Sequence, residues 1–463
     1  MKPPPIPAAD RRRTPLTRPA WQARLKALRE DPDAPAWNYA AGDRLGAADL
    51  RSVERFRKTL STRPADGRSL PTALRPWLRA AARSSPFHAK RLAGLDLGTR
   101  WLELPTMSRG DLVRSLTELV PDGEDLGPLI VYDTTGTTGP ALRLPHHPRA
   151  AACYQPLLEA ALALHGLKPR FSDKVTACVQ VVAAANSVTV TYPAVLAAWK
   201  GAGFARVNLH PSHWPAGNPV HWFRRAAPLV VTGDPVSFSE LLRLKIDHRP
   251  LALVSTATAL GEGLRRRLEK GFRCPVIDWY SLTETGPIAA TCPKGAFHQL
   301  PPDLHLECLD EAGRPVPSGL RGELTVTGGR NPYLPLVRYR TGDWGRLEDG
   351  RCACGRSGAR ILELEGRAPA VFRAADGSVL NPIDLARALR AFPLAAHELV
   401  QRADLSCEVV VRSAGAGLDG EDVRRALVEL FGAGIRLAVR VDPALGDDRP
   451  GGKVVAFRSE LPL

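Results

Sequence analysis

The spacing of hydrophobic positions changes along this chain, and each change predicts a different kind of structure. Residues 1–70 are rich in Pro, Arg and Asp and show weak periodicity, which predicts a poorly patterned, partly ordered lead-in. From "LRPWLRAAARSSPFHAKRLAG" the pattern turns helical. Leu74, Trp77, Leu78 and Ala81 share one face, and Pro86 breaks the run. Between about 128 and 345, short apolar runs ("PLIVYD", "DKVTACVQVVAA", "PLVVTG", "LALVST") alternate with helical patterns ("AACYQPLLEAALALHG", "FSELLRLKI"). Such alternation predicts an α/β domain built on mainly parallel sheets covered by helices.

The last hundred residues have a different grain. Leu405, Cys407, Val409 and Val411 alternate to one side, as do Ile435, Leu437, Val439 and Val441. Between these predicted strands, Asp419 is placed to cap a helix whose Val423, Leu427 and Leu430 face one way. With the helical "NPIDLARALRAF" ahead of them, they predict a compact α+β unit. The expected division is therefore a lead-in (1–70), a large domain (71–365) and a small C-terminal domain (366–463), with Gly366 and Pro369 of "ELEGRAP" at the boundary.

Composition narrows the function classes. The chain has 463 residues, 44% of them hydrophobic, which suits a globular protein with a sizeable core. No apolar stretch is long enough to span a bilayer and none behind "MKPPPIPAADRRRTP" forms a signal-peptide core, so a cytoplasmic protein is expected. Eight cysteines are too few for a disulfide scaffold and favour thiols or metal ligands. The net charge of +15 comes mainly from scattered arginines, not from one basic stripe interleaved with aromatics. That distribution disfavours nucleic acid and suits a small polyanion such as ATP or coenzyme A.

The chemistry is carried by motifs in sequence order. "VYDTTGTTGP" runs from a predicted strand into Thr134, Thr135, Gly136, Thr137, Thr138 and Gly139. Glycine allows close backbone approach and threonine supplies donors, as a phosphate site needs, although the loop lacks the lysine of the Walker form. In "IDWYSLTETG", Tyr280 offers a face for a base, followed by Ser281, Thr283 and the carboxylate Glu284, which suits Mg²⁺. In "RYRTGDWG", Asp343 sits in a turn where one carboxylate can accept from both hydroxyls of a ribose. Near the C-terminus, Lys453 lies on a glycine-flexed loop, a mobile cation for charge developing at a carboxylate and a phosphate.

Taken in this order, from about Leu74 to Lys453, the chain resembles the adenylate-forming superfamily of acyl-CoA synthetases, peptide-synthetase adenylation domains and luciferases. Within it, the likeness is greatest to the phenylacetate-CoA ligase group. The matching stretches are the Thr/Gly loop, "YSLTE", "YRTGD", "EGR" at 365–367 and Gly452-Lys453. The resemblance implies ATP-dependent activation of a carboxylic acid to an acyl-adenylate, release of pyrophosphate, and transfer of the acyl group to coenzyme A. It assigns the threonines to the phosphates, Tyr280 to adenine, Glu284 to Mg²⁺, Asp343 to the ribose, and Arg367 to the neighbourhood of the ribose and phosphate. Lys453 is assigned to the adenylating transition state. It also puts the acyl pocket among 184–193, 255–260 and the far side of "WYSLTETG", where Tyr192, Ala257 and Trp279 suit an aryl acid of phenylacetate type.

Cys352 and Cys354 form a C-x-C pair, and Cys292 and His298 follow closely after "YSLTETG". Three thiolates and an imidazole make a closed set for structural Zn²⁺. Some phenylacetate-CoA ligases carry zinc at this place, so the resemblance points the same way. His305 and Cys308 are the competing ligands, while Cys153, Cys178, Cys274 and Cys407 sit in core contexts.

The chain departs from the family in two places. "PALR" follows Gly139 in place of the usual lysine, leaving Arg143 as the nearest cation, and Pro369 stands where the hinge commonly has an acidic residue. An alternative is therefore an adenylating enzyme that delivers its product to an amine, a hydroxyl or a carrier-protein thiol, or that moves AMP onto a cofactor. An alternative of another class is a basic nucleic-acid-binding or scaffold protein on an inactive adenylating fold. The expected partners are thus small molecules, with neither membrane nor nucleic acid. The sequence does not choose between a monomer and a dimer.

Overall fold

The computed structural model describes residues 8–60, 70–72, 74–98, 100–133, 142–184, 189–365, 371–380, 382–389, 391–413, 417–445 and 456–461. The lead-in is more ordered than its composition suggested: helices α1 (Ala8–Arg13), α2 (Pro19–Arg29) and α3 (Ala47–Thr59) are followed by α4 (Leu74–Ser84) and α5 (Pro86–Arg91). Trp21, Leu25 and Leu28 recur at helical spacing and are buried, Trp21 and Leu25 packing on Val195, Ala197 and Ala198. Flanking arginines and prolines conceal that short apolar stripe in the sequence. Pro86 starts α5 at a position where proline costs no hydrogen bond.

After α6 (Arg109–Leu119), strands β1 (Ile130–Asp133) and β2 (Arg143–His146) pair as an antiparallel hairpin around the Thr/Gly loop, which lies outside the described residues. Helices α7 (Pro148–Ala152) and α8 (Tyr154–Leu164) then lead into the strands β3 (Thr176–Val182), β4 (Tyr192–Leu196), β5 (Ala202–Asn208), β6 (Val230–Gly233), β7 (Ala252–Ser255) and β8 (Val276–Leu282). Helices α9 (Pro219–Ala226), α10 (Pro235–Arg243) and α11 (Glu262–Phe272) connect them. The chain continues through β9 (Gly286–Thr291), β10 (Phe297–Gln299), β11 (Leu304–Leu309), β12 (Arg321–Gly328), β13 (Leu336–Glu348) and β14 (Arg360–Glu365).

These strands form one twelve-stranded sheet in the order β11-β12-β13-β14-β10-β9-β8-β7-β6-β3-β5-β4. The run β5-β3-β6-β7-β8 is parallel, as the alternating pattern predicts, and the run from β8 to β11 is antiparallel. In the parallel half, α9, α10 and α11 cover one face through Trp222, Phe238 and Leu268. Helix α8 covers the other through Leu157, Leu158 and Leu162. Burial on both faces explains why these strands read as unbroken apolar runs.

The C-terminal part contains β15 (Phe372–Arg373), β16 (Val379–Leu380), α12 (Pro382–Leu389), β17 (Leu394–Gln401), β18 (Cys407–Ser413), α13 (Gly420–Phe431), β19 (Leu437–Val441) and β20 (Phe457–Ser459). Its main sheet has the order β19-β18-β17-β20, with Cys407, Val409 and Val411 facing Val423 and Leu427 of α13 in one core. The Asp419 side chain accepts from the Glu421 backbone N–H and caps α13. Strand β17 carries His397 and Glu398 among apolar residues, and this weakened its alternating signal.

One buried ion pair fastens the segment before α6 to the antiparallel half. Arg338 of β13 pairs with Glu307 of β11 at 3.0 Å, each side chain only 3% exposed. The same guanidinium donates to the carbonyls of Leu102 and Leu104. Removing one partner of such a pair strands a buried charge. Arg338→Met is expected to destabilise the protein by about 3–5 kcal/mol, and adding Glu307→Leu to recover much of that, as read from urea midpoints.

Candidate functional site

The residues of "YSLTE" and "YRTGD" meet through an exchange of hydrogen bonds. Strand β8 ends at Leu282, and the turn that follows carries Glu284, 7% exposed, before β9 begins at Gly286. Gly286 has φ +71, and a Cβ there would lie 2.8 Å from the Tyr154 ring, so both the turn and the close approach of α8 need glycine. The Tyr280 hydroxyl, on β8, donates to Asp343 Oδ2 at 3.0 Å. The Tyr339 hydroxyl, on β13, donates to Glu284 Oε1 at 3.2 Å. Each motif's tyrosine thus holds the other motif's carboxylate. Burial, then the Glu284 carboxylate, pushes the Tyr339 hydroxyl well above its ordinary pKa and keeps it a donor.

Two arginines complete this arrangement. Arg109, in the first turn of α6, donates to Glu284 Oε1 at 3.3 Å. It is brought there because Met107 bonds alongside β13, its N–H to the Arg338 carbonyl and its carbonyl to the Arg340 N–H. A cation at a helix N-terminus opposes the helix dipole, so a partner is required, and that mismatch was the available sequence signal for Arg109. Arg330 pairs with Asp303 at 3.0 Å and donates to the Thr285 carbonyl at 3.1 Å, bracing the Glu284 turn from behind. Asp343 lies within β13 and not in the expected turn, at a bulge where its N–H donates to Thr341 Oγ1 and Gly342, at φ +77, donates to Glu323.

The remaining nucleotide residues fall unevenly. Ser281 Oγ lies 3.4 Å from Thr256 Oγ1, joining β8 to the segment 255–260. Thr283 meets His146 through its backbone, while burial pulls the His146 imidazole down to about 4. Ala257 takes φ +75, a left-handed conformation that alanine seldom adopts. The threonines and glycines of 134–139, Arg367 of the hinge and Lys453 lie outside the described residues. Arg143, the expected substitute cation, is on β2, exposed and 3.7 Å from Asp133.

The proposed acyl-pocket set does not come together. Trp279 projects from β8 into the core under α8, opposite to Tyr280, whereas Tyr192 is on β4. With β7, β6, β3 and β5 between them, the two are five strand steps, or about 24 Å, apart, too far to flank one small acid. What surrounds Tyr192 instead is Tyr39, Phe204 and Arg206.

The cysteine and histidine prediction converges. The ligand atoms of Cys292, His298, Cys352 and Cys354 all lie within 4.8 Å of one another. Cys292 Sγ is 4.0 Å from Cys352 Sγ, and Cys354 Sγ is 3.4 Å from His298 Nε2. Tetrahedral zinc with ligand bonds near 2.3 Å sets neighbouring sulfurs about 3.8 Å apart, so the donor set fits the ion in number, chemistry and spacing. Tight turns shape it, the Cys352 N–H donating to the Arg356 carbonyl and the Cys292 N–H to that of Ala296. Cys308 lies elsewhere, its thiol against the carbonyls of Leu320 and Gly345, and His305 packs edge-on to Trp101. Cys153, Cys178, Cys274 and Cys407 are buried, as expected of core thiols.

No protein-family model matches the chain. It is 25% identical over 148 residues to the protein CapK of Staphylococcus aureus, a stretch covering 32% of each. It is 31% identical over 111 residues to a phenylacetate-coenzyme A ligase of Thermus thermophilus, covering 23% of this chain and 25% of the ligase. The chain therefore matches only about a third and a quarter of the lengths of these relatives. A solved structure of 2-hydroxyisobutyryl-CoA ligase, with 2-HIB-AMP and CoA in the thioesterification state, superposes over 86% of this chain and 87% of its own. Its TM-score is 0.52 at 19% identity. No helix among the described residues is long and apolar enough to cross a membrane. By its large mixed sheet, its small C-terminal sheet and this superposition, the chain has the fold of the adenylate-forming ligases.

Proposed function

We propose that this protein is an ATP-dependent ligase that activates a carboxylic acid as its acyl-adenylate and passes the acyl group to coenzyme A. The observation that carries this reading is the paired exchange Tyr280 to Asp343 and Tyr339 to Glu284, which sets two carboxylates of different use beside each other. Asp343, to which the Tyr280 hydroxyl donates, is the carboxylate suited to the hydroxyls of a ribose. Glu284 is the carboxylate suited to Mg²⁺, which when bound with the nucleotide supplies charge compensation at the phosphates. Arg109 balances the charge of Glu284 and bonds the same oxygen as the Tyr339 hydroxyl.

In the reaction, an oxygen of the substrate carboxylate attacks the α-phosphorus, forming an O–P bond as the bond to the β-phosphate bridge breaks and pyrophosphate leaves. A coenzyme A thiolate then attacks the acyl carbon and AMP departs with the bonding pair. Both reactants of the first step are anions, so the chain must offset repulsion. The threonines and glycines at 134–139 take the phosphates, Arg367 the ribose and Lys453 the charge at the reacting carboxylate and α-phosphate. These roles follow from the resemblance of the motifs. An aryl acid is the favoured substrate class, supported by the partial likeness to a phenylacetate-coenzyme A ligase. Cys292, His298, Cys352 and Cys354 hold a structural zinc that braces the loop between β13 and β14, a role supported by their convergence.

Acid-dependent exchange of pyrophosphate into ATP is expected with Mg²⁺ present, and its absence across a broad panel of aryl and aliphatic acids would remove the ligase reading. Glu284→Gln should lower that exchange about 100-fold. Lys453→Ala should suppress adenylation while leaving transfer from a preformed acyl-adenylate to coenzyme A intact, and equal loss of both steps would contradict its role. Elemental analysis should find about one zinc per chain, lost together with thermal stability in Cys352→Ser/Cys354→Ser.

A further inference from the structure

Adenylation brings a carboxylate against a triphosphate, and the Thr/Gly segment is followed by "PALR", which brings no lysine. Arg143, the nearest cation in sequence, does not fill that place. In the β1–β2 hairpin Tyr132 lies opposite Leu144, and Asp133 opposite Arg143. Side chains alternate between the two faces of a strand. Leu142 and Leu144 pack into the core that holds Tyr280 and Tyr339, and His146 is buried on the same face. Arg143 and Pro145 therefore point outward, into a groove against Leu116 and Val120 of α6. A cation for the phosphates has to come from elsewhere.

Arg109 stands where one is needed. Its Nη1 lies 3.3 Å from Glu284 Oε1, and its side chain is 26% exposed against 7% for the carboxylate, so the guanidinium is the more open of the two. The bridge from Met107 to β13 fixes its approach. Other arginines of this region are bound to acids that belong to none of the motifs: Arg330 to Asp303, Arg338 to Glu307 and Arg340 to Glu323. Arg109 instead bonds the carboxylate suited to Mg²⁺.

One carboxylate cannot neutralise two cations. With Mg²⁺ on Glu284, the guanidinium bonded to that carboxylate faces a divalent ion across a single negative charge, in the first turn of a helix whose dipole also disfavours it. A further anion relieves the repulsion. A metal ion shared by a carboxylate and a phosphate brings their oxygens to within about 4 Å of each other, and in nucleotide enzymes it bridges β- and γ-oxygens. A guanidinium carries five donors in a planar fork, enough to hold a carboxylate and a phosphate together.

We propose that Arg109 binds the β- and γ-phosphates of ATP and supplies the cation that "PALR" lacks. The inference rests on the adenylation reading of the site. As pyrophosphate leaves, the bonding pair passes to the oxygen between the α- and β-phosphorus, which departs with the β-phosphate. A guanidinium on that group offsets the added charge.

Calorimetry with ATP and with AMP, in EDTA and in Mg²⁺, separates a phosphate contact from a brace for Glu284. In EDTA, Arg109→Gln should weaken ATP about tenfold or more and leave AMP within about twofold, while Arg109→Lys should keep part of the ATP affinity. Glu284→Gln should not weaken ATP in EDTA. The proposal is overturned if Arg109→Gln leaves the ratio of ATP to AMP affinity unchanged, or if its effect appears only with Mg²⁺, which would mean that Arg109 acts through Glu284. A measurement on the unaltered protein decides even if the variants fail to fold. Phenylglyoxal modification in EDTA, mapped by mass spectrometry, should be blocked at Arg109 by ATP or pyrophosphate and not by AMP; equal modification with and without ATP would overturn the proposal. Acid-dependent pyrophosphate exchange at wild-type rate in Arg109→Gln would overturn this inference and leave the ligase reading standing. The expected ATP and AMP results without any acid-dependent exchange would do the reverse.

Discussion

Two tyrosine hydroxyls and two carboxylates hold the candidate site together. Tyr280 and Glu284 belong to β8 and its turn, Tyr339 and Asp343 to β13, and in the sheet β9, β10 and β14 separate the two strands. Each tyrosine reaches across to the other strand's acid, so neither carboxylate can shift without breaking a bond to a side chain that is itself buried. A buried acid without such a donor would pay heavily in desolvation. The surrounding features serve that pair of bonds: Arg330 supports the turn, Met107 delivers Arg109, and Arg338 fastens the segment leading to Met107.

The same bonds give a physical reading of the basic charge. Several arginines that raise the net charge to +15 are interior fasteners, among them Arg338 with Glu307, Arg330 with Asp303 and Arg265 with Asp278. Their function is to satisfy buried carboxylates and carbonyls at points where distant segments meet. They are thereby unavailable to a polyanion, and the scatter seen in the sequence reflects that use.

The thiols separate along similar lines. Cys153, Cys178, Cys274 and Cys407 behave as small apolar residues, and burial pushes the Cys178 and Cys407 thiols up to about 12. Cys292, Cys352 and Cys354 instead gather around His298, where turns direct them at one point. The loop they would brace joins the strand bearing Asp343 to the strand leading into the hinge. A closed metal site there fits a structural part better than a chemical one.

Much of this was legible in the sequence. The alternation of apolar runs predicted the parallel half of the sheet, and the spacing of Cys292, His298, Cys352 and Cys354 predicted a ligand set that the fold brings together. The types of residue in "YSLTE" and "YRTGD" suited their chemistry, since a carboxylate or a phenol has the same donors and acceptors wherever it is placed. What only the tertiary structure decided were the long-range partners. Arg109 and Glu284 lie 175 residues apart, and no periodicity relates them. Tyr192 and Trp279 looked compatible as pocket walls until the strand order separated them. Local patterns in a sequence select elements and chemical types, whereas non-local packing selects which charges meet.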